Sequence, residues 1–355
     1  MSTVILKQLR EKMRDRGMDS LFVSGAANCD YLLGMTVPFI GACLVTMKDL
    51  CFFASCVDYE EAKSVLANAR VELTKNTLVG SMGRFLSENR LCRLGVDASG
   101  VTHIQYEKIR NIRGIKLLES AGVIEALRMI KSGREVDFIR KACRISAFVF
   151  SRMTARLKPG ISEQDAAEEI GSLMRRSGAE PAFDTIVASG VRSSFPHAAP
   201  TGKKIRNGDA VVMDFGARYK GYVSDLTRTV FMGSMGEKEK KIYGIVRNAQ
   251  TQALNCMKDG CAAGRIDSAA RCFIDKKGYG KYFVHSTGHG LGREIHEDPR
   301  IGRQDKMILK EGMIVTVEPG IYIPSAFGVR IEDTVLVTKK GSEILTDADR
   351  TALVL

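Results

Sequence analysis

The sequence predicts an α/β domain over residues 1–122 followed by an α+β domain over residues 123–355. Three observations predict it. The 355 residues are 45% apolar and 26% charged, enough for two cores and unlike a disordered or coiled-coil chain. The first third alternates helix-like and strand-like stretches at α/β spacing. Beyond residues 124–133 the pattern changes to long helices and grouped β segments, the signature of an antiparallel sheet with helices rather than a βαβ wrap.

The elements follow in order. Val4, Ile5, Leu9 and Met13 mark one face of a helix that ends near Gly17. Apolar runs predict strands at 21–23, 39–47, 50–54 and 94–97, with helices at 58–69 and 103–112. The longest apolar candidate, 36–47, falls well short of the roughly 20 residues that span a bilayer, so it reads as a core strand. Ser132 with Glu135 has the form of a capping box opening a helix to about Leu157, which Pro159 and Gly160 stop. Ser162 with Asp165 repeats the signal for a helix to Arg176, before Gly178. Two more helices fit 237–258 and 266–277, and β segments fit 210–218, 222–232, 313–323 and 328–337.

Charge and cysteine content narrow the function classes. Lys plus Arg is 53 and Asp plus Glu is 41, a net +12 of which 123–355 carries +9. That field attracts anions, but the basic residues are dispersed, Trp is absent and no aromatics interleave with them, which argues against nucleic acid as the partner. Nine cysteines without a C-x-x-C pair argue against a disulfide framework or a zinc ribbon. With no secretory signal or membrane span in view, the expectation is a cytoplasmic protein.

Four of the five histidines, His197, His285, His289 and His296, fall in the second domain, whereas His103 reads as an ordinary residue of a helix. Carboxylates stand where strands are predicted. A chain reversal at Tyr219-Lys220 sets Asp214 directly opposite Asp225, with Cβ atoms about 4.5–5.5 Å apart. Two ionised carboxylates that close repel unless a cation or proton lies between them. The alternative is a turn elsewhere, with both solvated. Glu318 and Glu332 repeat the signature inside β-branched runs. Arg330 and Glu332, two apart, share a strand face as a ligand beside an anion clamp, or else Arg330 pairs with Glu332 or Asp333. Glycines at 288, 290 and 292 around His289 allow a close approach of backbone and imidazole to a metal or substrate, and lack the full dinucleotide fingerprint. Four carboxylates and an imidazole suit Mn²⁺, or Co²⁺ or Zn²⁺, and four negative charges balance two divalent ions. Such a pair holds a hydroxide near neutral pH and polarises a carbonyl, which is hydrolytic chemistry. No serine elbow or catalytic cysteine context competes.

As a set, Pro196-His197, Asp214-Phe215-Gly216, Ser224-Asp225-Leu226-Thr227-Arg228, Gly288-His289-Gly290, Ile295-His296-Glu297, Val317-Glu318-Pro319-Gly320 and Arg330-Ile331-Glu332-Asp333 resemble the pita-bread metallo-exopeptidases. That family includes aminopeptidase P, prolidase and methionine aminopeptidase. The stretch 28–34, Asn-Cys-Asp-Tyr-Leu-Leu-Gly, is similar to the creatinase-type N-terminal domain of the proline-specific members. The resemblance implies two divalent ions held by Asp214, Asp225, His289, Glu318 and Glu332, with Asp214 and Glu332 bridging. It implies that Glu318 also shuttles a proton, that His296 and His197 hydrogen-bond the substrate or its oxyanion, that His285 lines the leaving-proline pocket, and that Arg330 helps hold a carboxylate or the substrate backbone. The implied activity is hydrolysis of Xaa-Pro bonds in dipeptides or at peptide N-termini, by a homodimer. Other readings are a binding module for peptides or an acidic partner, and a non-peptide amidohydrolase on the same fold.

Overall fold

The computed structural model describes residues 3–36, 38–97 and 100–355, so Val37, within the apolar run 36–47, lies outside the described residues. The chain divides into two compact units, Met1–Arg128 and Met129–Leu355. No helix among the described residues is long and apolar enough to cross a membrane.

In the first unit α1 (Thr3–Asp15), β1 (Ser20–Val23), α2 (Ala26–Leu33), β2 (Gly41–Thr46), β3 (Leu50–Ala54), α3 (Tyr59–Val65), β4 (Arg70–Leu73), α4 (Leu78–Glu88), β5 (Arg93–Val96), α5 (His103–Arg110), β6 (Lys116–Glu119) and α6 (Glu125–Arg128) follow one another. The strands form one mixed sheet in the order β4-β3-β2-β1-β5-β6. Its central strands are buried on both faces, so they read as continuous apolar runs. Leu21, Val23, Cys43 and Val45 face Leu9 and Met13 of α1, whereas Phe22, Ala42 and Leu44 face Met82, Phe85 and Leu86 of α4. His103 is exposed at the start of α5.

The second unit opens with α7 (Gly133–Thr154) and α8 (Glu163–Arg176), both with the expected capping boxes, at Ser132/Glu135 and Ser162/Asp165. Then come β7 (Glu180–Pro181), β8 (Ile186–Ser189), a 3₁₀ turn at Gly190–Ser194, β9 (Ala210–Phe215), β10 (Ala217–Tyr219), β11 (Tyr222–Val223) and β12 (Leu226–Phe231). A second helix pair, α9 (Glu237–Cys256) and α10 (Ala263–Lys276), precedes β13 (Gly288–Gly290), β14 (Glu297–Ile301), β15 (Ile314–Val317), β16 (Gly320–Ile323), β17 (Phe327–Arg330), β18 (Asp333–Val337), β19 (Ser342–Ile344) and β20 (Leu353–Val354). The main sheets run β20-β12-β9-β8 and β14-β13-β15-β18-β19, antiparallel except for the β12–β20 pair. The two halves echo each other. Lys158-Pro159-Gly160 and Lys258-Asp259-Gly260 lead into α8 and α10, and both glycines take left-handed φ, 96° and 81°.

Two expectations about the sheets are corrected. The reversal falls one residue later than expected, on Lys220-Gly221, where both residues have positive φ (51° and 80°) and the twist of a type I′ turn suits a two-residue hairpin. Asp214 therefore faces Thr227, and Asp225 lies in the break before β12. A slip of two positions preserves the face, so the carboxylates become diagonal neighbours rather than opposed ones. The long segments 313–323 and 328–337 are each interrupted, at Glu318-Pro319 and Ile331-Glu332, so both glutamates sit in gaps between strands rather than inside them. Pro319 has no N–H with which to continue a ladder.

Candidate metal centre

Asp214 projects from β9, Asp225 from the break between β11 and β12, His289 from β13, Glu318 from the break after β15 and Glu332 from the break before β18. Asp225, His289 and Glu332 each place one donor atom within 4.8 Å of the other two. The Nε2 of His289 is 3.5 Å from Glu318 Oε1 and 3.6 Å from Asp225 Oδ2. Its Nδ1 lies 3.0 Å from the Gly290 carbonyl oxygen and so donates to it, which leaves the Nε2 lone pair turned toward two carboxylates. Three sets of lone pairs converging on one space need a cation or a proton between them.

Asp214 stands outside that group of three. Its Oδ2 accepts from Arg330 Nη2, while Asp214 Oδ1 and Asp225 Oδ1 are buried without a hydrogen-bond partner. Burial, then the charges of Asp214 and Glu318, hold the Asp225 carboxyl well above the usual carboxylate range. Burial followed by Asp225 does the same to Glu332, and burial raises Glu318. Burial lowers His289, keeping its imidazole neutral as a ligand must be. Orphaned buried oxygens, hard donors and a neutral imidazole fit divalent cations.

A second chain of contacts runs away from these carboxylates. Arg330, 3% exposed, donates through Nε to Thr227 Oγ1 (3.1 Å) and through Nη1 to the Tyr322 hydroxyl (2.7 Å) and the Pro196 carbonyl (3.1 Å). It thus pairs with Asp214 rather than with Glu332 or Asp333, because the break at Ile331-Glu332 ends the alternation, and Asp333 is taken by Arg228 at 2.7 Å. The Tyr322 hydroxyl lies 2.9 Å from His285 Nε2, and burial pushes that phenol up to about 12. The His296 ring packs edge-on against His289, centroids 4.5 Å apart, and burial followed by His289 lowers its pKa. His197 is exposed, next to Pro196 on the segment tied to Arg330. The glycines beside His289 let neighbouring strands approach closely: a Cβ at Gly288 would collide with the Thr316 carbonyl, and one at Gly290 with the Asp298 carbonyl.

Sequence reasoning missed the supporting hydroxyls. Thr227 Oγ1 donates to Glu332 Oε2 (2.6 Å); Thr316 Oγ1 accepts from His289 N (3.0 Å); Thr334 Oγ1 accepts from Asp225 N (3.0 Å) and donates to Asp225 O (2.8 Å). The signal was available: Thr227, Thr316 and Thr334 each stand two residues from Asp225, Glu318 and Glu332 respectively.

Residues 137–339 match the profile of metallopeptidase family M24, and residues 5–130 that of the creatinase/prolidase N-terminal domain. The chain belongs to metallopeptidase family M24. Its pita-bread fold with a creatinase-type N-terminal domain is the one expected from the sequence, and family membership makes it an enzyme that binds divalent metal. An Xaa-Pro dipeptidase of Pyrococcus horikoshii is 40% identical over 350 residues, 97% of either chain. A solved Xaa-Pro dipeptidase from Bacillus anthracis superposes with a TM-score of 0.95 at 35% identity, covering 99% of each chain. An X-Pro aminopeptidase from Thermotoga maritima gives 0.90 at 32% identity, covering 97% of this M24 chain and 100% of its own.

Proposed function

We propose that this chain is a dinuclear-metal exopeptidase that cleaves the bond before proline, with Xaa-Pro dipeptides as preferred substrates. The convergence of Asp225, His289 and Glu332 within 4.8 Å, with Glu318 facing the same imidazole, carries this reading. The dipeptidase names of its relatives support the substrate class. The Thermotoga aminopeptidase likeness favours longer Xaa-Pro peptides as the second reading.

Asp214, Asp225, His289, Glu318 and Glu332 would hold two divalent ions, Mn²⁺ first and Co²⁺ or Zn²⁺ as alternatives, four carboxylates matching their charge. Bound there, the ions supply a water acidic enough to be hydroxide near neutral pH and polarise the scissile carbonyl. Glu318, raised by burial, takes the proton of the attacking water on a carboxylate oxygen and returns it to the proline nitrogen. The leaving nitrogen of the Xaa-Pro bond, a tertiary amide, needs that proton as any amide nitrogen does, because the unprotonated amide anion is too basic to depart. Its missing N–H also defeats proteases that bind their substrates as extended strands. His296 and His197 donate to the tetrahedral oxyanion, and His285, held by Tyr322, lines the proline pocket. Arg330 steadies that pocket through Tyr322 and Pro196. Nine free thiols support a reducing, cytoplasmic setting, and the family resemblance supports a homodimer. Loading purified protein with Mn²⁺ and comparing turnover of Xaa-Pro and Xaa-Pro-Xaa tests the proposal. Dipeptide turnover exceeding tripeptide turnover is expected; equal rates remove the preference, and no hydrolysis of either refutes the function.

A further inference from the structure

Glu318 and Glu332 both project from gaps in the sheet, and one side chain reaches both gaps. Gln250, on α9, is fully buried, and its Nε2 lies 3.1 Å from the Val317 carbonyl, 3.4 Å from the Ile331 carbonyl and 2.8 Å from Asp333 Oδ2. Those carbonyls belong to the residues immediately before Glu318 and Glu332. Three acceptors around one nitrogen fix the amide with its NH₂ toward the gaps, while Oε1 is left buried without a partner. An orphaned oxygen is a cost that a purely space-filling side chain would avoid.

We infer that Gln250 is a positioning residue: its single amide sets the spacing of Glu318 and Glu332 and thereby the affinity of the centre for divalent ions. The inference rests on the metal-centre reading above and adds a residue whose amide donates to the backbone before two of the proposed ligands and to Asp333. Backbone contacts join the gaps through one long bond, Ile331 N to Pro319 O at 3.5 Å, whereas Glu318 N donates to Thr287 O and Glu332 N to Thr227 O, on different neighbours. Gln250 adds a side-chain amide that reaches the carbonyls before both glutamates. Removing it takes the donor from Asp333 Oδ2 but leaves Asp333 Oδ1 bound by Arg228 Nη2 and Thr346 Oγ1, each at 2.7 Å, so the carboxylate charge stays paired.

The test is Mn²⁺ titration of the metal-stripped full chain, with free Mn²⁺ read by electron paramagnetic resonance. Gln250→Met, close in volume but without a donor, is expected to bind Mn²⁺ about 10- to 100-fold more weakly than wild type, the usual effect of losing an outer-shell partner. Ala253→Gly, a buried site on the same helix, controls for loosened packing and is expected to keep wild-type affinity within about twofold despite a lower Tm. Should Gln250→Met fail to fold, Gln250→Asn, whose amide stops a methylene short, makes the same comparison. Unchanged affinity in the Gln250 variant overturns the inference, as does an equal loss in Ala253→Gly. Absence of Mn²⁺ binding by wild type instead overturns the metal-centre reading beneath it.

Discussion

Thr227→Val tests the architecture of the centre most sharply, because it deletes one hydroxyl and almost no volume. Thr227 is fully buried, and its Oγ1 serves two charged partners, donating to Glu332 at 2.6 Å and accepting from Arg330 at 3.1 Å. A hydrogen bond to a charged group contributes about 1.5–3 kcal/mol, so losing two costs about 3–6 kcal/mol before relief from the hydroxyl's own desolvation, about 1–3 kcal/mol. The net is about 3 kcal/mol. For a unit of this size that lowers Tm by roughly 6–12 °C. Thr227→Ser keeps the hydroxyl and loses one methyl, about 1 kcal/mol. Calorimetry on both variants, with and without Mn²⁺, reads the difference, and a competing chelator reads metal affinity, expected to fall about 10- to 100-fold in the valine variant alone. A valine variant within about 1 kcal/mol of wild type, or a serine variant damaged equally, would refute the reasoning.

Other substitutions separate metal binding from turnover. Asp225→Asn removes a charge from the centre and should lower metal content and activity together, whereas His296→Ala should keep its metal while turnover drops about 10²–10³-fold; metal analysis beside a peptide assay checks both. Protonation gives a signed expectation. Asp225, Glu318 and Glu332 are raised in the metal-free fold, so their protonation stabilises that fold at low pH and the contribution is lost as pH rises; metal must displace those protons. The Tm gain on Mn²⁺ loading should therefore widen from about pH 5 to pH 8, with proton release seen by calorimetry in two buffers; a gain constant with pH contradicts it. Substrate in trans should be consumed first, leaving a slow phase of tens to hundreds of seconds at high enzyme; rapid turnover of a locked-cis analogue contradicts that.

Much of this fold was legible because local signals and burial agree. The capping boxes at Ser132 and Ser162 open helices where expected, and β3 matches its apolar run at 50–54. Less legible was α2, whose Ala26–Leu33 shows little amphipathic pattern and whose end is set by Gly34 at a φ of 74°. The short edge strands β4 and β6 carry Arg70, Glu72 and Lys116, which blur an apolar reading. At the centre, residue types and parity were legible, since a two-place register error cannot change a residue's face. The gaps were not, because strand continuity depends on partners such as Gln250 and Thr227 that lie far away in sequence.

The gaps that carry Glu318 and Glu332 constrain anyone wishing to move this chemistry to another scaffold. Grafting the five proposed ligands onto an unbroken β-sandwich would copy the donor atoms but leave each carboxylate aligned with the regular pleat. A working transplant must also import the interruptions, together with the helix amide and strand hydroxyls that make an interrupted ladder tolerable, so the smallest portable unit is a piece of tertiary structure.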